Sequence, residues 1–172
     1  MASELFGIDE IDRNIIQLIQ KEPTLTHTEI AKQVNRSQPT IGMRIRKLEE
    51  IGILKFQAGV NVKTTDLILA RAEIQTLNPS EIIKLVKKCP YMLNAFRLSG
   101  ASNLSVLMAS PKLKDLDRIV NQHFRNNPAV LSVNINVITE IIEDFVLNFN
   151  FNFDKCGATK DGRCCGKCIN QS

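Results

Sequence analysis

Residues 37–53 read SQPTIGMRIRKLEEIGI. Ser37 is a helix-capping residue and Gly52 a stop signal, so the residues between them read as one helix. Ile41, Ile45 and Leu48 recur at helical spacing and form its apolar stripe. The opposite side carries Gln38, Thr40, Gly42, Met43, Arg44, Arg46 and Lys47, with no acid before Glu49. A side that only had to stay in water would more often mix Glu with Lys.

Two helices precede this one. Asp9 can cap the first, with Asp12 three residues on, where its charge favours the helix dipole. Ile11, Ile15, Leu18 and Ile19 follow at helical spacing, and Glu22-Pro23 ends the run. Thr26-His27-Thr28-Glu29 is a capping box for the second helix, whose inner face holds Ile30 and Val34. Asn35-Arg36 makes a short turn into the third. After Gly52, residues 53–62 are β-prone with Gly59 placed for a tight turn, which reads as a small hairpin. Three short helices, a tight turn and a hairpin make a winged helix-turn-helix pattern.

The rhythm then changes. Residues 67–76 read as a strand, and Asn78-Pro79-Ser80-Glu81 as a capped helix start. Strands follow at 92–98 and 104–109, with Gly100 at the turn between them. A helix with Leu113, Leu116, Val120 and Phe124 comes next, closed by Asn127-Pro128. Leu131, Val133, Ile135 and Val137 then alternate with polar residues, as a half-buried strand requires. The order β-α-β-β-α-β is a ferredoxin-like sandwich. One further strand is expected at 145–153, where Phe145, Leu147, Phe149, Phe151 and Phe153 alternate with Val and polar residues. That row is buried either by a second subunit or under this chain's own helices. The fold class is therefore α+β, with a winged helix-turn-helix domain at 1–63, a ferredoxin-like domain at 64–153 and a cysteine-rich tail at 154–172.

The N-terminal motifs resemble a known family. Ile8 to Ile16, Glu29 to Val34, and Ser37 with Arg44 to Ile53 are similar to the DNA-binding half of the leucine-responsive regulatory protein/AsnC (Lrp/AsnC) regulators of prokaryotes. That family also places a ferredoxin-like effector and oligomerisation domain second. The resemblance implies a sequence-specific transcription regulator, dimeric or larger, whose third helix enters the major groove of double-stranded DNA. Ser37, Gln38, Thr40, Met43 and Arg44 would face bases or backbone. Arg46 and Lys47 would meet phosphates, and Lys55 would reach the backbone from the wing. Arg and Gln can make bidentate contacts to guanine and adenine edges. Met43 departs from the family, where a basic residue is frequent. The family's small-molecule effector site lies near the turn after the second strand, where Gly-x-x-Asp is common. This chain has Gly100-Ala101-Ser102-Asn103, so Gly100, Ser102 and Asn103 are the corresponding candidates. Asn cannot supply the carboxylate that would pair with an ammonium group, so the effector differs or is absent. Siroheme decarboxylases resemble the same scaffold, which keeps an enzyme as the alternative reading. The second domain is poor in the histidines that a haem-handling enzyme would want, and the reading here is that the chain is not an enzyme.

The tail adds chemistry of its own. Four of the chain's 5 cysteines, Cys156, Cys164, Cys165 and Cys168, fall within 154–172. Lys155, Lys160, Arg163 and Lys167 flank them and would favour thiolates. Cys165-x-x-Cys168 has zinc-knuckle spacing, and Cys156 with Cys164 completes four ligands. Zinc is the first choice, an iron–sulfur cluster the second and a redox pair the third.

Composition sets the outer bounds. The chain has 172 residues, 44% of them hydrophobic and 23% charged, and a net charge of +4. This is ordinary globular composition, not that of a disordered chain. Within 30–60, Lys32, Arg36, Arg44, Arg46, Lys47 and Lys55 face only Glu49 and Glu50, while the first 29 residues are acidic. A domain balanced in charge but with one cationic face suits an anionic groove. No run is long and apolar enough for a membrane span, and the opening MASELFGIDE has no leader pattern, so a cytoplasmic location is expected.

Overall fold

The computed structural model describes residues 7–149 and Phe153. The chain forms two units, Met1–Gln57 and Ala58–Ser172, divided ahead of the boundary expected after residue 63. The cysteines at 156–168 lie outside the described residues.

The first unit holds α1 (Glu10–Lys21), α2 (His27–Gln33) and α3 (Gln38–Glu50). Each begins where its capping residue stands. Asp9 and Asp12 exchange backbone bonds in a capping box, Thr26 and Glu29 form a second, and Ser37 Oγ accepts from Thr40 N–H. Asn35 takes the left-handed backbone region, with φ 52°, to turn the chain from α2 into α3. Ile15, Ile19, Ile30, Ile41, Ile45, Leu48 and Leu54 form one core, so the three apolar stripes converge as their spacing requires.

The second unit runs β1 (Val60–Asn61), β2 (Ile68–Thr76), α4 (Pro79–Val86), β3 (Met92–Arg97), β4 (Leu104–Ser110), α5 (Leu113–Val120), β5 (Val130–Ile138) and β6 (Val146–Leu147). The order of the large sheet is β3-β4-β2-β5, antiparallel throughout. With its two crossing helices it is the ferredoxin-like sandwich. Ala70, Ala72, Ile74, Leu104, Val106 and Met108 pack with Ile82 of α4 and Leu116, Ile119 and Val120 of α5. A π-helical turn (Asn121–Arg125) extends α5 and carries the buried Phe124 and His123. Burial holds the His123 imidazole below its usual pKa.

Four expectations need correction. Residues 53–62 do not fold back as a hairpin. Val60 and Asn61 pair instead with Leu147 and Val146, so β1 belongs to the second unit. Gly59 makes no turn of its own. A Cβ there would fall 2.8 Å from the Leu147 carbonyl oxygen and 2.7 Å from Val146 Cγ1, so glycine is what lets the two backbones meet. Leu131, expected inward, is 58% exposed, because a bulge opposite Gln75 and Thr76 shifts the register and sends Val130 to the core. Asn78 makes no side-chain cap, and α4 starts on Pro79 alone.

The Phe row is the fourth. Within the described residues its strand is only Val146–Leu147. Phe149 is buried with Leu69, Leu107 and Ala109, which alternate with the helix-facing residues and so lie on the sheet's other face. The Phe153 ring tilts against Tyr91 at a centroid distance of 5.0 Å. Phe149 thus rests on this chain's own sheet, and Phe153 packs against both this cluster and the helix-side core. Further along that face lie Arg71, Glu73 and Gln75, with Arg71 and Glu73 ion-paired. Among the described residues no helix is long and apolar enough to cross a membrane.

Replacing Gly59 with Val should lower the second unit's stability by about 1–3 kcal/mol, the usual cost of forcing atoms into a filled contact. Urea unfolding of Gly59→Val beside the unaltered chain reads this, and coincident curves would refute the contact.

Candidate nucleic-acid interface

The third helix presents the cationic side expected of it. Ser37, Gln38, Arg46 and Lys47 are exposed, Met43 is 69% exposed, and Lys55 is exposed beyond the helix. Thr40 is half-buried, and its hydroxyl lies 2.7 Å from Ser37 Oγ, so it serves the helix start.

Arg44 is different. Its Nη1 donates to Asp9 Oδ2 and to Asp12 Oδ1, each at 2.7 Å. The Asp12 side chain is only 8% exposed. Both carboxylates also cap α1, so one guanidinium ties the start of α1 to the middle of α3. Arg44 was expected to face DNA; here its Nη1 is bonded to α1, which ties the two helices together. The Asp12 backbone N–H and then the Arg44 guanidinium hold the Asp9 carboxyl below its usual range, and Asp12 and Asp9 raise Arg44. A lowered carboxyl stabilises the fold above its unfolded pKa, and that contribution is lost as pH falls through the folded one. The sequence did not reveal this partnership, since Asp9 and Asp12 already had a sufficient local explanation as caps.

A cleft of about 440 Å³ runs beside α3, lined by His27, Gln38, Gly42, Met43, Arg46 and Phe56 among others. Beside Gly42 lies the His27 imidazole, whose Nδ1 is 3.4 Å from where a Gly42 Cβ would stand.

The effector candidates divide. Gly100 is exposed and Ser102 half-buried in the β3–β4 turn. Asn103 Oδ1 accepts from Thr76 N–H at 3.0 Å, and its Nδ2 donates to the Thr76 carbonyl at 2.7 Å. Both ends of the amide staple the turn to β2, so Asn103 is a structural residue here. Among the described residues no group of three or more His, Cys, Asp or Glu is placed to hold a metal ion.

Residues 8–55 match the family model described as winged helix-turn-helix DNA-binding. An HTH-type transcriptional regulator of Pyrococcus abyssi is 28% identical over 81% of this chain and 98% of its own length. The HTH-type transcriptional regulator LrpC of Bacillus subtilis is 23% identical over 78% of this chain and 94% of its own. The solved structure of E. coli AsnC superposes with a TM-score of 0.69, at 20% identity, over 80% of this chain and 97% of AsnC. The chain is similar to Lrp/AsnC regulators in sequence and shares their fold. A Neisseria meningitidis transcriptional regulator, solved in complex with L-Met, shares the fold at a TM-score of 0.70 and 19% identity, covering 85% of this chain and 98% of that one. The fold match therefore spans both units, and the match to the winged helix-turn-helix model covers the first.

Asn103→Asp keeps the shape but sets an acceptor against the Thr76 carbonyl. The variant should lose about 1–3 kcal/mol of stability at neutral pH, the cost of an unmade buried bond. Thermal unfolding of the two proteins measures it, and equal midpoints would show that the staple does not matter.

Proposed function

We propose that this chain is a transcription regulator that binds duplex DNA sequence-specifically by laying α3 into the major groove. The observation that carries the reading is the exposed side of α3, free of acid before Glu49 and held in a fixed attitude by the Arg44 clamp. Gln38 is suited to a bidentate adenine contact and Met43 to a thymine methyl group. Arg46, Lys47 and Lys55 supply charge for phosphates, and Ser37 stands at the helix start beside them. A regulator of this kind works in the cytoplasm. Naming of the relatives as transcriptional regulators favours this reading over a siroheme decarboxylase.

The second unit joins copies into a dimer or larger assembly through the sheet face that α4 and α5 do not cover. Two α3 helices then address half-sites about one DNA turn apart, roughly 10 bp, or a multiple of it. The L-Met complex of the Neisseria relative supports a small-molecule effector in this chain too, near Gly100 and Ser102. Asn103, in the place of the family's acidic residue, points to an effector other than a free amino acid held by its ammonium group.

Arg46→Ala and Lys47→Ala should each weaken binding to all duplexes alike and lower the salt dependence by about one counterion. Footprinting of the bound operator should give paired protections about one turn apart. Unchanged affinity in Arg44→Ala, Arg46→Ala, or a single isolated protection, would overturn the interface or the assembly respectively.

The tail is a metal-binding or redox-sensing element. Cys156, Cys164, Cys165 and Cys168 supply four thiolates among Lys155, Lys160, Arg163 and Lys167, a donor set that suits zinc first and an iron–sulfur cluster second. Protein purified without oxygen should carry one metal centre per chain and lose it in Cys165→Ser, Cys168→Ser. Equal metal in both, or none in the unaltered chain, leaves the redox pair as the tail's chemistry.

A further inference from the structure

Arg71 and Glu73 stand on a central strand of the large sheet, where an apolar residue is the ordinary choice. Both side chains lie on the face that α4 and α5 leave open. The register fixes their neighbours. Glu73 is flanked by Ser105 of β4 and Asn134 of β5, with Phe96 of β3 beyond Ser105. Arg71 is flanked by Leu107 and Asn136, with Asn94 beyond Leu107. None of these neighbours is charged. Arg97, the remaining charged residue of strands β2 to β5, falls opposite Leu104 on the helix side. Among the described residues of those strands, Arg71 and Glu73 are thus the only charges on the open face.

The two are ion-paired within the chain, with Arg71 54% and Glu73 28% exposed. An exposed pair of this kind contributes little to the stability of one copy, so it leaves the island of charge unexplained. Beside it Ser105 is 3% exposed, and its hydroxyl has no hydrogen-bond partner among the described residues. The island therefore borders ground that water does not reach, and a covering surface that failed to match its charges would leave them desolvated and unpaired, which is costly. The island matches itself. A two-fold axis lying across the strands at the level of Ala72 sets two antiparallel copies of β2 face to face. Arg71 of each copy then meets Glu73 of the other, and the contact occurs twice, as in any isologous interface.

We propose that the Arg71–Glu73 pair is the self-recognition element of the second unit. A second copy of this chain covers the open face by setting its Glu73 against Arg71 and its Arg71 against Glu73. The proposal rests on the assembly reading above and adds to it the residues that choose the partner. A chain of like fold with apolar or like-charged residues at these two positions leaves the island unmatched, so the pair admits its own kind and rejects others.

The test uses the full chain in four forms: unaltered, Arg71→Glu, Glu73→Arg, and the double exchange of the two. Light scattering over a dilution series at low salt reads the strength of assembly. Each single exchange sets like charges together twice between copies and should weaken self-assembly by about tenfold or more. The double exchange keeps the match and should assemble like the unaltered chain. The deciding arm mixes the two single variants in equal amounts in urea, removes the urea and weighs the products by native mass spectrometry. One variant is wholly acidic at the island and the other wholly basic, so mixed pairs should dominate. A single variant that folds only in the mixture supports the proposal equally. A pair that acts only within its own chain gives mixed pairs at about half, the share expected without preference. That share overturns the proposal. So do single variants that assemble as tightly as the unaltered chain, a double exchange as weak as the singles, or a mixture that stays unfolded. If the unaltered chain is itself a monomer, the assembly reading fails and this one with it.

Discussion

A four-stranded antiparallel sheet has two faces, and two helices can cover only one. The second unit is organised around that constraint. Ala70, Ala72 and Ile74 turn toward the helices, with Val106 and Met108 beside them. The alternation then puts Leu69, Leu107 and Ala109 on the other side, where they need an apolar partner that no helix provides. Phe149 and the β1–β6 ribbon supply it at one end. Gly59 is part of the same solution, since the ribbon closes only where a side chain is missing. At the other end the face turns polar, with Arg71 paired to Glu73, and polar groups there tolerate water or another copy of the chain.

The first unit solves a different problem. Its three helices are short, and their apolar contact is a single cluster of aliphatic residues. Such a core fixes distance better than rotation. The bond from Arg44 to two carboxylates of α1 fixes rotation, because a planar guanidinium has directions that a leucine lacks. The same bonds engage Arg44 Nη1 within the unit, while Gln38, Met43, Arg46 and Lys47 stand exposed along α3.

Much of this was legible in the residues. Caps, apolar stripes and period-two alternation are local signals, and Asp9, Thr26, Ser37, Val133 and Ile135 all do what their neighbours in sequence imply. The misreadings have a common cause, which is that the deciding partner is remote. Gly59 looks like a turn residue until Leu147 lies against it. Leu131 looks inward until a bulge opposite β2 shifts the count by one. Asn103 looks like a defective acidic ligand until Thr76 takes both ends of its amide. Arg44 looks like a side chain without a protein partner until Asp9 and Asp12 bond its Nη1. In each case a side chain or backbone far along the chain wins over the local pattern, and single-residue chemistry carries no mark of it.

The pairing of β1 with β6 has a consequence for how the chain acquires its structure. Val60 and Leu147 are 87 residues apart in the second unit, so their ladder closes most of it as one loop. Contacts of such long range are slow to form and depend on both ends having left the ribosome. The helical unit has no such dependence, because its pairs lie within residues 8–54. Synthesis therefore delivers a folded helix-turn-helix while the last strand of its companion is still being made. The order of assembly runs from the end that meets DNA to the end that ties the chain shut.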